Sequence, residues 1–278
     1  MSNYTINLYA YSVAMGIKAL AKRKSSKEVF KRILCPMDPA RYYEFPATLR
    51  VISDYIKPNS RILDISSPKL LTYFLANKYQ RANFVASDIQ SKELSNWKTS
   101  FGEFNNMKLI KADARKLKFR DNSFDVVFSI SVIEHVVDDK RKKTNGDRQF
   151  INEVGRVLKK GGIFLFTTNV ADDAKLLYKN SDIYGTNDRK SNTFFSRVYS
   201  KDSLYKRIIG PSRLKETYSE VCKYRLSFLE TAFNLLVPYS AIFGFLNILI
   251  FPFLLNIKPA WGTRFGERAD VLYVLKKQ

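Results

Sequence analysis

Two hydrophobic rhythms alternate through the middle of the chain. Short runs rich in Val, Ile, Leu and Phe fall at residues 61–65, 83–88, 108–112, 124–130 and 162–168, with helix-like segments between them at 68–78, 91–104 and 147–158. The last of these helices closes on Lys-Lys-Gly-Gly, a basic final turn followed by a glycine stop. A parallel sheet with crossover helices requires this alternation. A polar stretch containing TNDRKSN follows, then a helix over 201–209 and strands at 214–224 and 269–275. The pattern predicts an α/β fold with a doubly wound, seven-stranded, mostly parallel sheet. No repeat or low-complexity linker divides it, and 278 residues with 45% hydrophobic content suffice for one full core.

One stretch breaks the rhythm. Between residues 224 and 269 lies an interruption whose centre, TAFNLLVPYSAIFGFLNILIFPFLLNI at 231–257, has no charged residue. It is long enough to span a bilayer, but Pro238, Gly244, Asn247 and Pro252 oppose a simple spanning helix. A crossing would also put the last strand on the wrong side of the membrane from its own sheet. An apolar helical insertion that dips into one leaflet meets both constraints, whereas a buried cap or dimer interface hides the same residues without lipid. Lys223 and Arg225 precede the insertion, and Lys258, Arg264 and Arg268 follow it.

Charge sharpens that picture. Lys and Arg number 47 against 26 Asp and Glu, a net +21, so the surface field attracts phosphates, nucleic acid or an acidic membrane. The N-terminal MSNYTINLYAYSVAMGIKALAKRKSSK has its basic run after the apolar stretch and reads as a basic amphipathic helix rather than a signal peptide. Helix and insertion together form the two-signal pattern of stable attachment to an anionic surface. Cys35 and Cys222 lie far apart without a CxxC, and His135 is the only histidine, so neither a disulfide framework nor a metal site is expected. The expected location is cytoplasmic, peripherally or monotopically associated with the inner face of the membrane.

Three motifs bear on chemistry. RILDISSPKL at 61–70 ends an apolar run in an acid and a turn; KADARKLKFRDNSFDVVFSISVIEHV spans 111–136, and EVGRVLKKGGIFLFTTN spans 153–169. In order and spacing they resemble the class I S-adenosylmethionine-dependent methyltransferases over roughly residues 44–276, most closely the group that modifies small molecules and polysaccharides. The two later motifs are long and adjacent, hence specific; LDI followed by a turn is weak by itself. The resemblance implies a Rossmann-like fold, with residues 1–57 forming the N-terminal helix and cofactor lid, 58–224 the core, 225–268 the insertion and 269–278 the last strand. It also implies S-adenosyl-L-methionine as cofactor.

Candidate site residues follow strand by strand. Asp64 closes the first strand, where an open α/β sheet forms its ligand crevice, and by resemblance meets the methionine end of the cofactor. The family turn is DxGxGxG; here Ser66 and Ser67 stand in it, and Ser67-Pro68 reads as a helix opening that keeps a helix N-terminus on the crevice. Asp88, with Ile89 after it, lies 24 positions beyond Asp64, where an acid takes a ribose diol. Asp113 and Ala114 fall beside the adenine by resemblance, and Ser129, Ile130 and Ser131 line the sulfonium side. Taken singly, each acid could equally cap a turn or helix.

Arg41, Tyr42, Tyr43 and Glu44 precede the first strand and by resemblance form a lid, with Asn169 on the substrate rim. His135 is a natural general base, with Glu134 beside it, although methyl transfer needs positioning first and the pair could simply pack the top of the fourth strand. The leading expectation is O-methylation of a lipid-linked or amphipathic acceptor at a membrane surface: a glycolipid, polyprenyl-linked sugar or quinone precursor. Nucleic-acid methylation is an alternative raised by the charge, but SISVIEH stands where base-amino methyltransferases place Asp/Asn-Pro-Pro-aromatic. A scaffold that kept the fold and lost the cofactor is the non-enzymatic alternative, raised by the glycine-poor turn.

Overall fold

The computed structural model describes residues 2–138, 145–180, 193–224, 244–260 and 262–278. Helices α1 (Asn3–Ala21), α2 (Lys27–Leu34) and α3 (Arg41–Ile52) precede the first strand. The core then runs β1 (Arg61–Ile65), α4 (Leu70–Lys78), β2 (Asn83–Asp88), α5 (Ser91–Phe101), β3 (Met107–Lys111), β4 (Phe124–Ile130), α6 (Gly146–Val157) and β5 (Leu158–Val170). A hairpin of β6 (Lys175–Lys179) and β7 (Thr193–Val198) follows, then α7 (Lys201–Leu204), a π-helical turn at Tyr205–Ile209 and α8 (Gly210–Ser212). Strand β8 (Lys215–Tyr224), a short 3-10 turn (Gly244–Leu246), α9 (Asn247–Leu254), β9 (Leu255–Pro259) and β10 (Ala269–Lys276) end the chain.

The main sheet has eight strands in the order β3-β2-β1-β4-β5-β10-β8-β9. Strands β1 to β5 pair in parallel, and the β5-β10, β10-β8 and β8-β9 pairs are antiparallel. Order reverses between β1 and β4, and an open sheet of this kind forms its ligand crevice at that switch. The expected seven strands become eight because Leu255–Pro259, read as the end of the apolar insertion, pairs with β8 as an edge strand.

Near-continuous apolar runs make these strands because both faces of the sheet are covered. Ile62, Val126, Phe128, Ile163 and Leu165 point to the side of α1, α3, α4 and α5. Their neighbours Leu63, Val127, Phe164 and Phe166 point to the side of α6. The period of two thus splits each strand between two cores. The N-terminal helices belong to the first core: Leu8, Phe45 and Leu49 pack in the same cluster as Val126 and Phe128.

Two local expectations are corrected. Helix α4 begins at Leu70 rather than Pro68, with Lys69 at its N-cap, and the Ser67 hydroxyl caps nothing. That hydroxyl instead accepts the Ile130 N–H at 3.0 Å, tying the turn to β4. The polar stretch after β5 contains the β6-β7 hairpin, although TNDRKSN itself lies outside the described residues, as does most of the insertion's first half, 225–243.

Candidate active site

The ends of β1, β2, β3 and β4 converge around the turn at residues 66–69. Ser66 takes φ +54°, the left-handed backbone that glycine normally supplies, so a strained serine makes the bend here. Asp64 is fully buried, and its carboxylate accepts the Ser67 N–H at 2.9 Å and the Thr72 hydroxyl at 2.5 Å. Burial pushes this carboxyl up, against the opposing pull of Lys69 and those two donors. Asp64 therefore holds the turn together from inside. Lys69, also buried, reaches under the turn to the Ser67 and Ser87 carbonyls and to Asp88.

Asp88 ends β2 and accepts the Gln90 N–H at 3.0 Å, and beside it Ile89 is half exposed. Asp113, just past β3, is gripped by Arg115 through both carboxylate oxygens at 2.8–3.2 Å. Burial resists ionisation there, but the Arg115 hydrogen bonds and charge outweigh it and hold the carboxyl below its ordinary range. Ala114 is buried beside it. Ser129 and Ile130 are buried in β4 and serve as lacing: the Ser129 hydroxyl donates to the Ile65 carbonyl at 3.0 Å, and Ile130 binds Ser67.

Ser131 leaves the sheet at φ +52° and meets α3. Its N–H donates to the Thr167 hydroxyl at 3.0 Å, and its own hydroxyl donates to Glu44 at 2.5 Å and accepts from Arg41 at 3.2 Å. Glu44 also accepts the Thr167 hydroxyl at 2.6 Å and pairs with Arg41. This buried network closes α3 over the ends of β4 and β5. The adjacent tyrosines turn inward: Tyr42 stacks on Phe251 of α9 at 5.6 Å, and Tyr43 is buried toward β8 and β10. A small cleft between α2, α3, α5 and the turn is lined by Arg32, Arg41, Pro68, Lys69, Glu93 and Trp97.

Glu134 and His135 occupy a 3-10 turn (Ile133–His135) beyond β4 and face different ways. Glu134 is fully buried, accepting from the Thr168 hydroxyl at 3.0 Å and Asn169 Nδ2 at 3.2 Å; burial raises its carboxyl pKa. His135 is half-buried, and its Nδ1 lies 2.7 Å from the Phe195 carbonyl on β7. A carbonyl only accepts, so Nδ1 carries the proton in the neutral ring and the lone pair lies on Nε2. Strand β7 is itself held by Arg197, which pairs with buried Asp147 at 3.1 Å and with Asp138 at 2.9 Å, while Arg207 binds the same two acids.

Lys69, Thr72, Thr167, Thr168 and Arg197 escape a reading of the sequence. Lys69 left one signal, since a cation at the opening of an apolar helix opposes the helix dipole and implies a nearby acid. The threonines look like ordinary strand residues until β5 is aligned beside β4. Among the described residues no cluster of His, Cys, Asp or Glu forms a metal site, and no helix is long and apolar enough to cross a membrane.

A family model described as a methyltransferase domain matches residues 63–166, from β1 into β5. No curated protein matches the sequence. Among solved structures, a geranyl diphosphate methyltransferase in complex with S-adenosylmethionine aligns with TM-score 0.56 at 10% identity, over 91% of this chain and 92% of that one. A methyltransferase from Methanosarcina mazei aligns with TM-score 0.51 at 16% identity, over 82% and 96%. The cyclase SpnF aligns equally well, TM-score 0.51 at 12% identity over 84% and 81%, so fold alone does not assign the reaction. The motif-bearing segment is the part that matches the family model: residues 63–166 form a methyltransferase domain, and with it goes S-adenosylmethionine-dependent methyl transfer.

Proposed function

We propose that the enzyme methylates an oxygen of a lipid-linked or amphipathic acceptor, such as a glycolipid, polyprenyl-linked sugar or quinone precursor, while docked on an anionic membrane face. The observation that supports this most is the apolar surface of the insertion. Leu249 is 64% exposed and Phe253 61%, and Phe245, Ile250 and Ile257 are close to half exposed around them. Leu34 adds to the same surface from α2, which packs on the 3-10 turn (Gly244–Leu246). Exposed apolar side chains gathered on one element favour an interaction surface over scattered surface residues. Helix α1 is joined to it by the Tyr9 hydroxyl, which donates to the Phe245 carbonyl at 2.8 Å, and contributes Lys18 near its end, with Lys22, Arg23 and Lys24 after it. Apolar insertion beside a basic rim suits a bilayer with anionic headgroups.

The residues at the crevice fit the cofactor. Asp88 has acceptor sites to spare for ribose hydroxyls, half-exposed Ile89 offers an apolar flank for the base, and Asp113 and Ala114 lie beyond it. Bound there, the cofactor supplies an electrophilic methyl group on its sulfonium. Ser66, Ser67, Ser129 and Ile130 shape the floor, while Ser131, Arg41 and Glu44 close the side toward α3. Tyr42 and Tyr43 brace that closure from the core. His135, held through Nδ1 on the turn beyond β4, is the candidate to receive the acceptor's hydroxyl proton; Asn169 and Glu134 fix the loop that carries it.

The reading is tested by incubating the enzyme with methyl-labelled cofactor and isolated membranes. Label is expected in the organic-extractable fraction. Label confined to nucleic acid, or no labelled product from membranes, overturns it.

A further inference from the structure

Lys69 is an unusual side chain for its position. It is 1% exposed and stands at the N-cap of α4, where the helix's partial positive charge disfavours a cation. Its ammonium nevertheless donates to Ser67 O at 2.7 Å and Ser87 O at 3.3 Å and pairs with Asp88 Oδ2 at 3.2 Å and Asp64 Oδ2 at 3.8 Å. A buried cation persists only with such compensation. Asp88 Oδ1 takes the Gln90 N–H, and a carboxylate offers about four acceptor sites, so a ligand hydroxyl can bind Asp88 without dislodging Lys69. Lys69 is thus a buried ion-pair partner beneath the crevice.

We propose that Lys69 is a fixed counterion that sets how strongly the enzyme prefers its charged cofactor to the product cofactor. The inference rests on reading Asp88 as a cofactor acid. Methyl transfer converts a sulfonium into a neutral thioether, so S-adenosylmethionine and S-adenosylhomocysteine differ by one positive charge at sulfur. Lys69 cancels one carboxylate at the β1-β2 edge, and Arg115 cancels Asp113 at the next strand. Each cancellation weakens attraction for the cation and leaves the neutral thioether nearly untouched. The lysine therefore narrows the gap between cofactor and product and makes the enzyme sensitive to their ratio.

Calorimetric titration of both ligands into the full chain tests this, comparing wild type with Lys69→Met, Lys69→Gln and Lys69→Arg. The affinity ratio is expected to shift about 5-fold toward S-adenosylmethionine in the Met and Gln variants and to stay at the wild-type value in the Arg variant. Ligand-induced shifts in thermal unfolding give the same comparison for whichever neutral variant is less stable. An unchanged ratio in the Met and Gln variants overturns the counterion role while leaving the cofactor site intact. Failure of the wild type to bind either ligand overturns the reading of Asp88 and the proposal with it.

Discussion

The hydrogen bond between His135 Nδ1 and the Phe195 carbonyl fixes which ring nitrogen can accept a proton, and it separates two neighbours that look equivalent in the sequence. Replacing His135 by Ala is expected to lower kcat about 100-fold while leaving cofactor affinity unchanged, measured by single-turnover methylation and calorimetry. Glu134 behaves differently because its carboxyl is buried and its pKa raised. A raised carboxyl binds its proton more tightly in the folded than in the unfolded chain. Its contribution to stability is therefore greatest in acid and is lost as pH rises from the ordinary carboxylate range through the raised value. Glu134→Gln is expected to flatten that decline, read from chemical denaturation across pH. A steeper decline in the variant would refute the assignment.

At the scale of elements, most of the core was legible because short apolar runs bounded by acids and turns leave little choice of structure. Strands β1, β2 and β4 fall where the hydrophobic pattern predicts them, residue for residue. The β6-β7 hairpin was not legible: Lys175–Lys179 is wholly exposed and carries no buried face for a pattern to reveal. Edge strand β9 was hidden for the opposite reason, since its Leu and Ile merge with the apolar run before it. At the site, the acids could be read from their strand ends, whereas the Glu44-Ser131-Thr167 network joins residues up to 123 positions apart and exists only once the strands are aligned. Helix α9 makes its own prediction. Leu249→Asp with Phe253→Asp is expected to weaken sedimentation with anionic vesicles while preserving cofactor binding, because both side chains are largely exposed and support little of the core. Undiminished vesicle binding would remove α9 from the docking surface.

For the whole molecule, a net charge of +21 makes association with anionic surfaces dependent on ionic strength. Binding to vesicles containing anionic lipid is expected to weaken from 50 to 500 mM salt, approximate concentrations that carry the screening length from above ~10 Å to about 4 Å. A remainder that survives high salt measures the apolar contribution, and the double aspartate variant should lose that remainder. Position matters as much as charge. Helix α9 passes into β9 with no intervening connector, so its axis is fixed to the edge of the main sheet. Tyr42 stacks on Phe251 and belongs to the same helix as Arg41 and Glu44, which hold Ser131 at the mouth of the crevice. The exposed apolar surface of α9 and the Ser131 end of the sheet are thus joined through one helix, α3. A displacement of α9 would therefore bear on Ser131 through a stacked ring pair and a single helical turn, so a substitution at Tyr42 or Phe251 touches both ends at once.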